Sequence, residues 1–410
     1  MTATEYDIAI IGAGIVGSSL ASHLAPHARV LLLDRDLAVR GSSGHNPGFV
    51  GQLNRLPPLT ELARRSVRAY STVPGGFENS GCLEVALTKP ELEMLRARGA
   101  LARASGMKAT LVSQAEARRL APAFVEDCVG GLHFPDDGSA DPKVLAKHYQ
   151  AQAASAGATL LAADVLAFKE GAVETSEGVI KAKRVAVCTG IWGTQLLPLP
   201  MAGAVVVGQG YAYSSTRRPR TASPIIRWPG VQVYGRDHGD RDGIGSYDHA
   251  PVHVPTSDIG GHSTAASAWN KAFTGALARA LALLPEQTAA RFYGRTLAGT
   301  GTEDAAAAII QAREAGRAHA FNSLFQVTSD GYPLVGRVQD GVYAAVGVWV
   351  THAYGAAGVL TDMILQDMGK GEEKDEDAEI RRVLDPLRFA GKDVVDDALR
   401  TYNDIYNRKK

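Results

Sequence analysis

Three glycines, an aspartate and a histidine near the N-terminus are the residues best placed to do chemistry. Gly12, Gly14 and Gly17 stand in the order G-x-G-x-x-G, and Asp34 closes a second apolar run downstream. In that order each has its own task. Gly12 permits a tight turn, Gly14 lets backbone N–H groups approach a pyrophosphate, and Gly17 lets a helix lie close against a strand. The helix N-terminus contributes partial positive charge to the phosphates. Asp34 accepts hydrogen bonds from a ribose diol, which favours FAD or NAD over NADP. The fingerprint alone does not choose between those two, and Arg35 beside the acid joins the candidate cofactor set.

The flanking elements are those the fingerprint requires. Asp7–Ile11 is a continuous apolar run of strand length, Ser18–Leu24 reads as a helix, and Arg29–Leu33 reads as a second strand ending at the acid. A glycine-rich turn with no nucleotide is the alternative. The coincidence of strand, turn, helix, strand and acid argues against it.

Composition sets the outer limits. The chain has 410 residues, with 43 Lys+Arg against 43 Asp+Glu and an apolar fraction of 45%. Such a chain folds rather than staying disordered. Zero net charge argues against a nucleic-acid or anionic-membrane partner, either of which normally goes with a basic excess. Cys82, Cys128 and Cys188 are too few and scattered for a disulfide scaffold or a zinc site. His249 and His253 are too isolated to suggest metal ligands, and none is expected. No basic stretch precedes the first apolar run, and the apolar runs are strand-sized rather than membrane-spanning. A reduced, soluble, cytoplasmic protein is the expectation.

After Asp34 comes the small-residue loop Gly41-Ser42-Ser43-Gly44-His45-Asn46-Pro47-Gly48. A neutral imidazole held in a rigid loop can act as a nucleophile toward a cofactor. The other reading is a histidine that hydrogen-bonds a phosphate or a ribityl hydroxyl. With this loop the sequence resembles the D-amino-acid-oxidase-like flavoproteins, nearest the flavin domain of the dimethylglycine oxidase and sarcosine dehydrogenase group. The resemblance implies FAD, and implies that His45 is covalently joined to the flavin. It also assigns Ser42, Ser43 and Gly48 to the cofactor.

Further matches run along the chain. Thr328-Ser329-Asp330-Gly331-Tyr332-Pro333-Leu334-Val335-Gly336 is similar to the family's T-x-D-G-x-P-x-x-G motif, and adds Gly331 to the cofactor set. Val348–Gly355 leads into a helix over 356–368. The resemblance implies that this junction, with Trp349 and Thr351, lies against the flavin, where positive potential stabilises its reduced anion. Val165 matches the residue that touches the adenine, and Thr189 and Gly190 match the turn at which the chain leaves the flavin domain.

The implied fold is α/β, a Rossmann-type FAD-binding domain interleaved with an α+β substrate domain built on a mostly antiparallel sheet. The first is expected from 1–80, 140–205 and 325–375, the second from 81–139 and 206–324, with 376–410 a partly helical tail. Helices are expected at Glu91–Ala104, Gln114–Leu120, Pro142–Ala156, Trp269–Leu284, Thr302–Ala315 and Val394–Tyr406. The charged run Lys370–Asp377 reads as a solvated linker. The chain stops where the family's folate-binding region would begin, so a released one-carbon unit is expected to leave as free formaldehyde.

The activity implied is oxidation of the C–N bond of a small secondary or tertiary amine, such as an N-methyl amino acid. The product is an iminium that hydrolyses to aldehyde and amine, with hydrogen peroxide if oxygen is the acceptor. Deamination of a primary amino acid, or a flavoprotein without amine turnover, are the alternatives. Tyr234 is the counterpart of the family's active-site tyrosine, Trp228 stands where a family histidine is expected, and Gly208-Gln209-Gly210 replaces a His-Gln-Tyr run. Tyr247 and His352 complete the candidate catalytic set; Tyr211, Tyr213 and Tyr354 are further candidates to line the site. Arg236 could clamp a carboxylate or pair with Asp237 or Asp240, with Arg55 and Arg227 as weaker carboxylate candidates. Cys188 reads as a buried small hydrophobe.

Overall fold

A computed structural model describes residues 5–169, 171–197, 203–214, 223–259, 266–267, 269–293, 308, 311, 319–371 and 375–405. Most of the helix expected at Thr302–Ala315 lies outside the described residues. The fold is the expected α/β arrangement of two sheet systems.

Fully apolar strands such as Ile8–Ile11 cannot face water on either side, so they need cover on both faces. They lie in a six-stranded sheet ordered Thr159–Ala162, Val30–Asp34, Ile8–Ile11, Val185–Val187, Val342–Val346 and Leu334–Gln339. Neighbours are parallel except the last pair. The helices Ile15–Leu24, Pro57–Tyr70, Pro142–Ser155 and Ala353–Asp367 cover one face through Leu20, Leu62, Ala146 and Leu360. A four-stranded sheet made of Glu5–Tyr6 and the meander Val165–Lys169, Ala172–Thr175 and Gly178–Ala182 covers the other, burying Val173 and Ala182.

The second system is a mixed, mostly antiparallel sheet. Its main path runs Ala266–Ser267, His319–Thr328, Ala204–Tyr213, Asp242–Ser246, Val233–Asp237, Ile225–Trp228, Cys82–Ala86, Gly130–Phe134 and Thr110–Val112. Along this path only Ile225–Trp228 and Cys82–Ala86 pair in parallel. Helix starts follow local side-chain chemistry. Thr88 accepts from the Glu91 N–H while the Glu91 carboxylate accepts from the Leu87 N–H, so the helix begins at Lys89 rather than Glu91. A later helix runs Ala272–Leu281 in place of Trp269–Leu284, with the Asn270 side chain accepting from the Ala272 N–H at its start.

The linker expectation for Lys370–Asp377 needs correction at its end. Asp377 is buried, and its carboxylate takes two hydrogen bonds from Arg65, at 2.7 and 3.0 Å. Arg388 then grips Asp330 at 2.8 Å, and the helix Val395–Tyr402 docks through Thr401, whose hydroxyl donates to Ser329 O at 2.8 Å. Charge run in the sequence does not mean solvation when a guanidinium waits on a neighbouring helix.

Candidate active site

A cavity of about 660 Å³ draws its wall from both sheet systems, within the range of small-molecule sites, about 300–1,000 Å³. At one end lies the fingerprint. Gly12 has φ +104°, and a Cβ there would come 2.5 Å from Cys188 O. Gly17 lies behind the wall and does the packing assigned to it, since a Cβ would run into Gly12 O. The helix Ile15–Leu24 begins at Gly14 and aims its N-terminus at the cavity, with the Ile15 N–H bonded to Ser43 Oγ at 3.1 Å. Asp34 accepts from the Ala13 N–H at 2.6 Å, and burial raises its pKa. Arg35 sits over the Trp192 ring, 5.0 Å from its centroid, and pairs with Asp164 at 3.3 Å. Val165, Thr189 and Gly190 line the same end.

The loop after Asp34 is held at almost every residue. Ser42 donates to Leu324 O at 2.7 Å, Asn46 accepts from the Gly48 N–H at 2.6 Å, and Arg236 donates to Pro47 O and Ala140 O. Arg236 therefore braces this loop through two backbone carbonyls. Gly48 lies just outside the wall at φ +76°, where a side chain would strike Ala140 O. His45 lines the cavity, and its Nδ1 lies 3.1 Å from Gly41 O. A carbonyl only accepts, so Nδ1 carries the proton and the lone pair sits on Nε2. Burial lowers the pKa of His45 and keeps the ring neutral.

The other end is built by strand register. Glu84 pairs with Arg227, Arg227 with Tyr234, Tyr234 with Gly245, Gly245 with Tyr211, and Tyr211 with Phe321. Cross-strand neighbours share a face, so these residues form one transverse row. Gly245 leaves the space in which Tyr211 and Tyr234 stack, 5.8 Å apart and 18° from parallel; a Cβ there would overlap the Tyr234 phenol. Tyr247 joins Tyr234 with centroids 5.2 Å apart, and burial pushes its phenol up to about 12. Tyr211 is raised for the same reason, so both are neutral donors or acceptors rather than bases near pH 7. Arg227 lies 4.1 Å from the Phe49 centroid and 3.7 Å from Glu84, which Arg98 holds at 2.7 and 3.0 Å.

Several expected residues lie elsewhere. Trp228 is fully buried in a core cluster with Leu83, Phe124 and Ile244, off the cavity wall. Side chains alternate along a strand, and Arg227 takes the cavity face, so its neighbour must point away. His352 is buried in the turn before Ala353, outside the wall, and burial lowers its pKa to about 4; Thr351 lines the cavity and donates to Phe49 O. Gly331 is off the wall as well, in a turn at φ +79° whose Asp330 accepts from the Tyr332 N–H. Tyr354 packs on His23 and Tyr149, and Tyr213 on His238 and Phe321. Arg55 is absent from the wall, whereas Cys188 is buried yet borders it. Phe49, Trp192, Phe325 and Ile405 line the cavity without having been singled out. Among the described residues, no cluster of three or more His, Cys, Asp or Glu could hold a metal ion, and no helix is long and apolar enough to cross a membrane.

Two buried polar atoms test whether the residues fit FAD. Thr189 Oγ1 and Gln326 Nε2 belong to wall residues and have no hydrogen-bond partner among the described residues. Gln326 Oε1 accepts from the Gly347 N–H at 3.0 Å, which turns its amide donors the other way. Buried donors without partners are costly, and a polar ligand between the glycine cradle and Trp349 would satisfy them. The residues fit the group.

The comparisons agree with this geometry. A family model described as FAD dependent oxidoreductase (DAO) matches residues 7–363. Sarcosine dehydrogenase of Homo sapiens is 26% identical over 269 residues, covering 60% of this chain and 29% of that protein. The 4-methylaminobutanoate oxidase (formaldehyde-forming) of Paenarthrobacter nicotinovorans is 27% identical over 218 residues, 48% of this chain and 26% of that protein. The matches thus span less than a third of either relative. The crystal structure of glycine oxidase from Geobacillus kaustophilus superimposes with a TM-score of 0.71 at 20% identity, covering 94% of this chain and 100% of that one, a likeness of fold. A nucleotide cradle, a braced histidine loop and a match over most of its length establish that the chain belongs to the FAD dependent oxidoreductase family.

Proposed function

We propose that the protein is an amine oxidoreductase acting on the C–N bond of a small secondary or tertiary amine, best an N-methyl amino acid. The observation that carries this is the transverse row, where Arg227 stands beside Tyr234 and Phe49 in the wall of the cavity that begins at the dinucleotide cradle. A guanidinium in an aromatic pocket favours a carboxylate and disfavours a second cation. An amino acid whose amine has lost its proton suits both demands.

The bound FAD supplies a two-electron acceptor for the hydride equivalent on the carbon next to nitrogen. The side chains position and desolvate. Arg227 takes the carboxylate, the Tyr234 phenol orients the amine, and Phe49, Tyr211, Tyr247 and Trp349 exclude water. Water then hydrolyses the substrate iminium to formaldehyde and the demethylated amine. With molecular oxygen as the final acceptor the other product is hydrogen peroxide. His45, lining the cavity in a braced loop with its ring held neutral by burial, is suited to tether the flavin covalently.

Product analysis tests the reading. Formaldehyde without ammonia supports demethylation; ammonia with an oxo acid means deamination of a primary amino acid instead.

A further inference from the structure

The family match ends at residue 363, yet the helix Val395–Tyr402 packs behind the cavity wall and Ile405 beyond it lines the cavity. Tyr402 is fully buried and packs with Val205, Val207 and Val327, under Tyr247, Phe325 and Trp349. Those three aromatic residues line the cavity, and so does Ile405. Tyr247 meets the Tyr402 ring edge-on at 5.5 Å. The Tyr402 hydroxyl donates to Gln209 Oε1 at 2.7 Å and lies 2.7 Å from His249 Nε2. Gln209 is itself a wall residue, and its amide donates to Ser246 O at 2.9 Å, which turns Oε1 toward Tyr402. The segment is strapped down independently, by Arg388 on Asp330 and Thr401 on Ser329 O.

We propose that this C-terminal segment is a wall of the substrate cavity. Tyr402 is a positioning residue that fixes Gln209 and the aromatic side, and Ile405 sets how large a substituent the cavity admits. The substrate arm of this proposal rests on the proposed amine oxidation; the wall itself does not.

The holoenzyme tests both parts. Tyr402→Phe keeps the ring and removes the hydroxyl, leaving Gln209 Oε1 and His249 Nε2 without that partner. The expected result is a KM for N-methylglycine raised about tenfold with kcat within about twofold, the loss of a buried hydrogen bond felt in binding. Ile405→Ala should raise kcat/KM for N-propylglycine relative to N-methylglycine by about fivefold, the worth of one to two methylenes of room, and Ile405→Trp should lower the same ratio. A third readout needs no substrate: iodide quenching of flavin fluorescence should steepen in Tyr402→Ala and Ile405→Gly. If the wild type oxidises no amine, the proposed reaction fails while the quenching arm still decides the wall. Unchanged quenching overturns the wall. Where the wild type turns over, unchanged KM in Tyr402→Phe together with unchanged selectivity at residue 405 overturns the positioning and size-limiting roles.

Discussion

Replacing Arg227 by leucine separates its role in recognition from its role in the fold. Its guanidinium's neighbours include the Phe49 ring at 4.1 Å, the Glu84 carboxylate at 3.7 Å and, as proposed, the substrate carboxylate. Glu84 keeps its two bonds from Arg98, at 2.7 and 3.0 Å, so the substitution does not leave a bare buried charge. The Phe49 contact belongs to the protein and affects every substrate alike. What remains for a carboxylated substrate is one charge-assisted interaction, worth about 1.5–3 kcal/mol, or roughly a 10- to 150-fold rise in KM at similar kcat. N-methylbutylamine, which has no carboxylate, should change by less than about threefold, the size of an ordinary packing effect. Arg227→Lys keeps the charge without the fork and should fall between. The assay is steady-state kinetics on N-methylglycine and N-methylbutylamine side by side, with flavin content checked by absorbance. Equal losses on both substrates would refute the reasoning and make Arg227 a structural residue.

Other perturbations have equally definite outcomes. In His45→Ala, acid precipitation should give a colourless pellet and a yellow supernatant, against a yellow pellet for the wild type; a yellow variant pellet would exclude His45 as the tether. Gly245→Val, whose side chain would overlap the Tyr234 phenol, should bind FAD normally yet lose about 100-fold in kcat/KM through misplacement of the stacked pair; unchanged kinetics would deny the row its role. Asp137 is buried, and burial raises its pKa from 3.8 to about 6. Between those pH values the folded carboxyl keeps a proton that the unfolded one releases, so its contribution to stability falls as pH rises through the window. Asp137→Asn escapes that loss, and its unfolding midpoint relative to wild type should rise from pH 4 to pH 7; a constant difference would contradict the shift.

The parts legible in the sequence are those whose spacing is local. The turn from Gly12 to Gly17, the acid at Asp34 and the loop from Gly41 to Gly48 each sit in one stretch of chain, and each side chain's task follows from its neighbours. The row from Glu84 to Phe321 is different, because it exists only once six strands from distant stretches adopt one register. A one-residue change of phase exchanges the two faces of a strand, so a resemblance that marks Trp228 says nothing of whether Trp228 or its neighbour Arg227 faces the cavity. Gly331 and His352 lie off the cavity wall for a related reason: a motif marks a turn, while the cavity takes only some of the turn's residues. The closest available signal for the row was the Gly243-Ile244-Gly245 spacing, glycines where bulky aromatic neighbours need room. No local pattern pointed Ile405 at the cavity. Its position depends on Arg65 and Arg388 holding Asp377 and Asp330 across the fold.

The central claim is that this cavity oxidises an amine, and anaerobic titration of the yellow holoenzyme with N-methylglycine and its larger N-alkyl and N-methyl amino-acid analogues tests it most directly. At least one of them should bleach the flavin stoichiometrically and release one aldehyde per flavin, formaldehyde where the group lost is methyl. A flavin that dithionite bleaches and every member of that series leaves yellow would contradict the account.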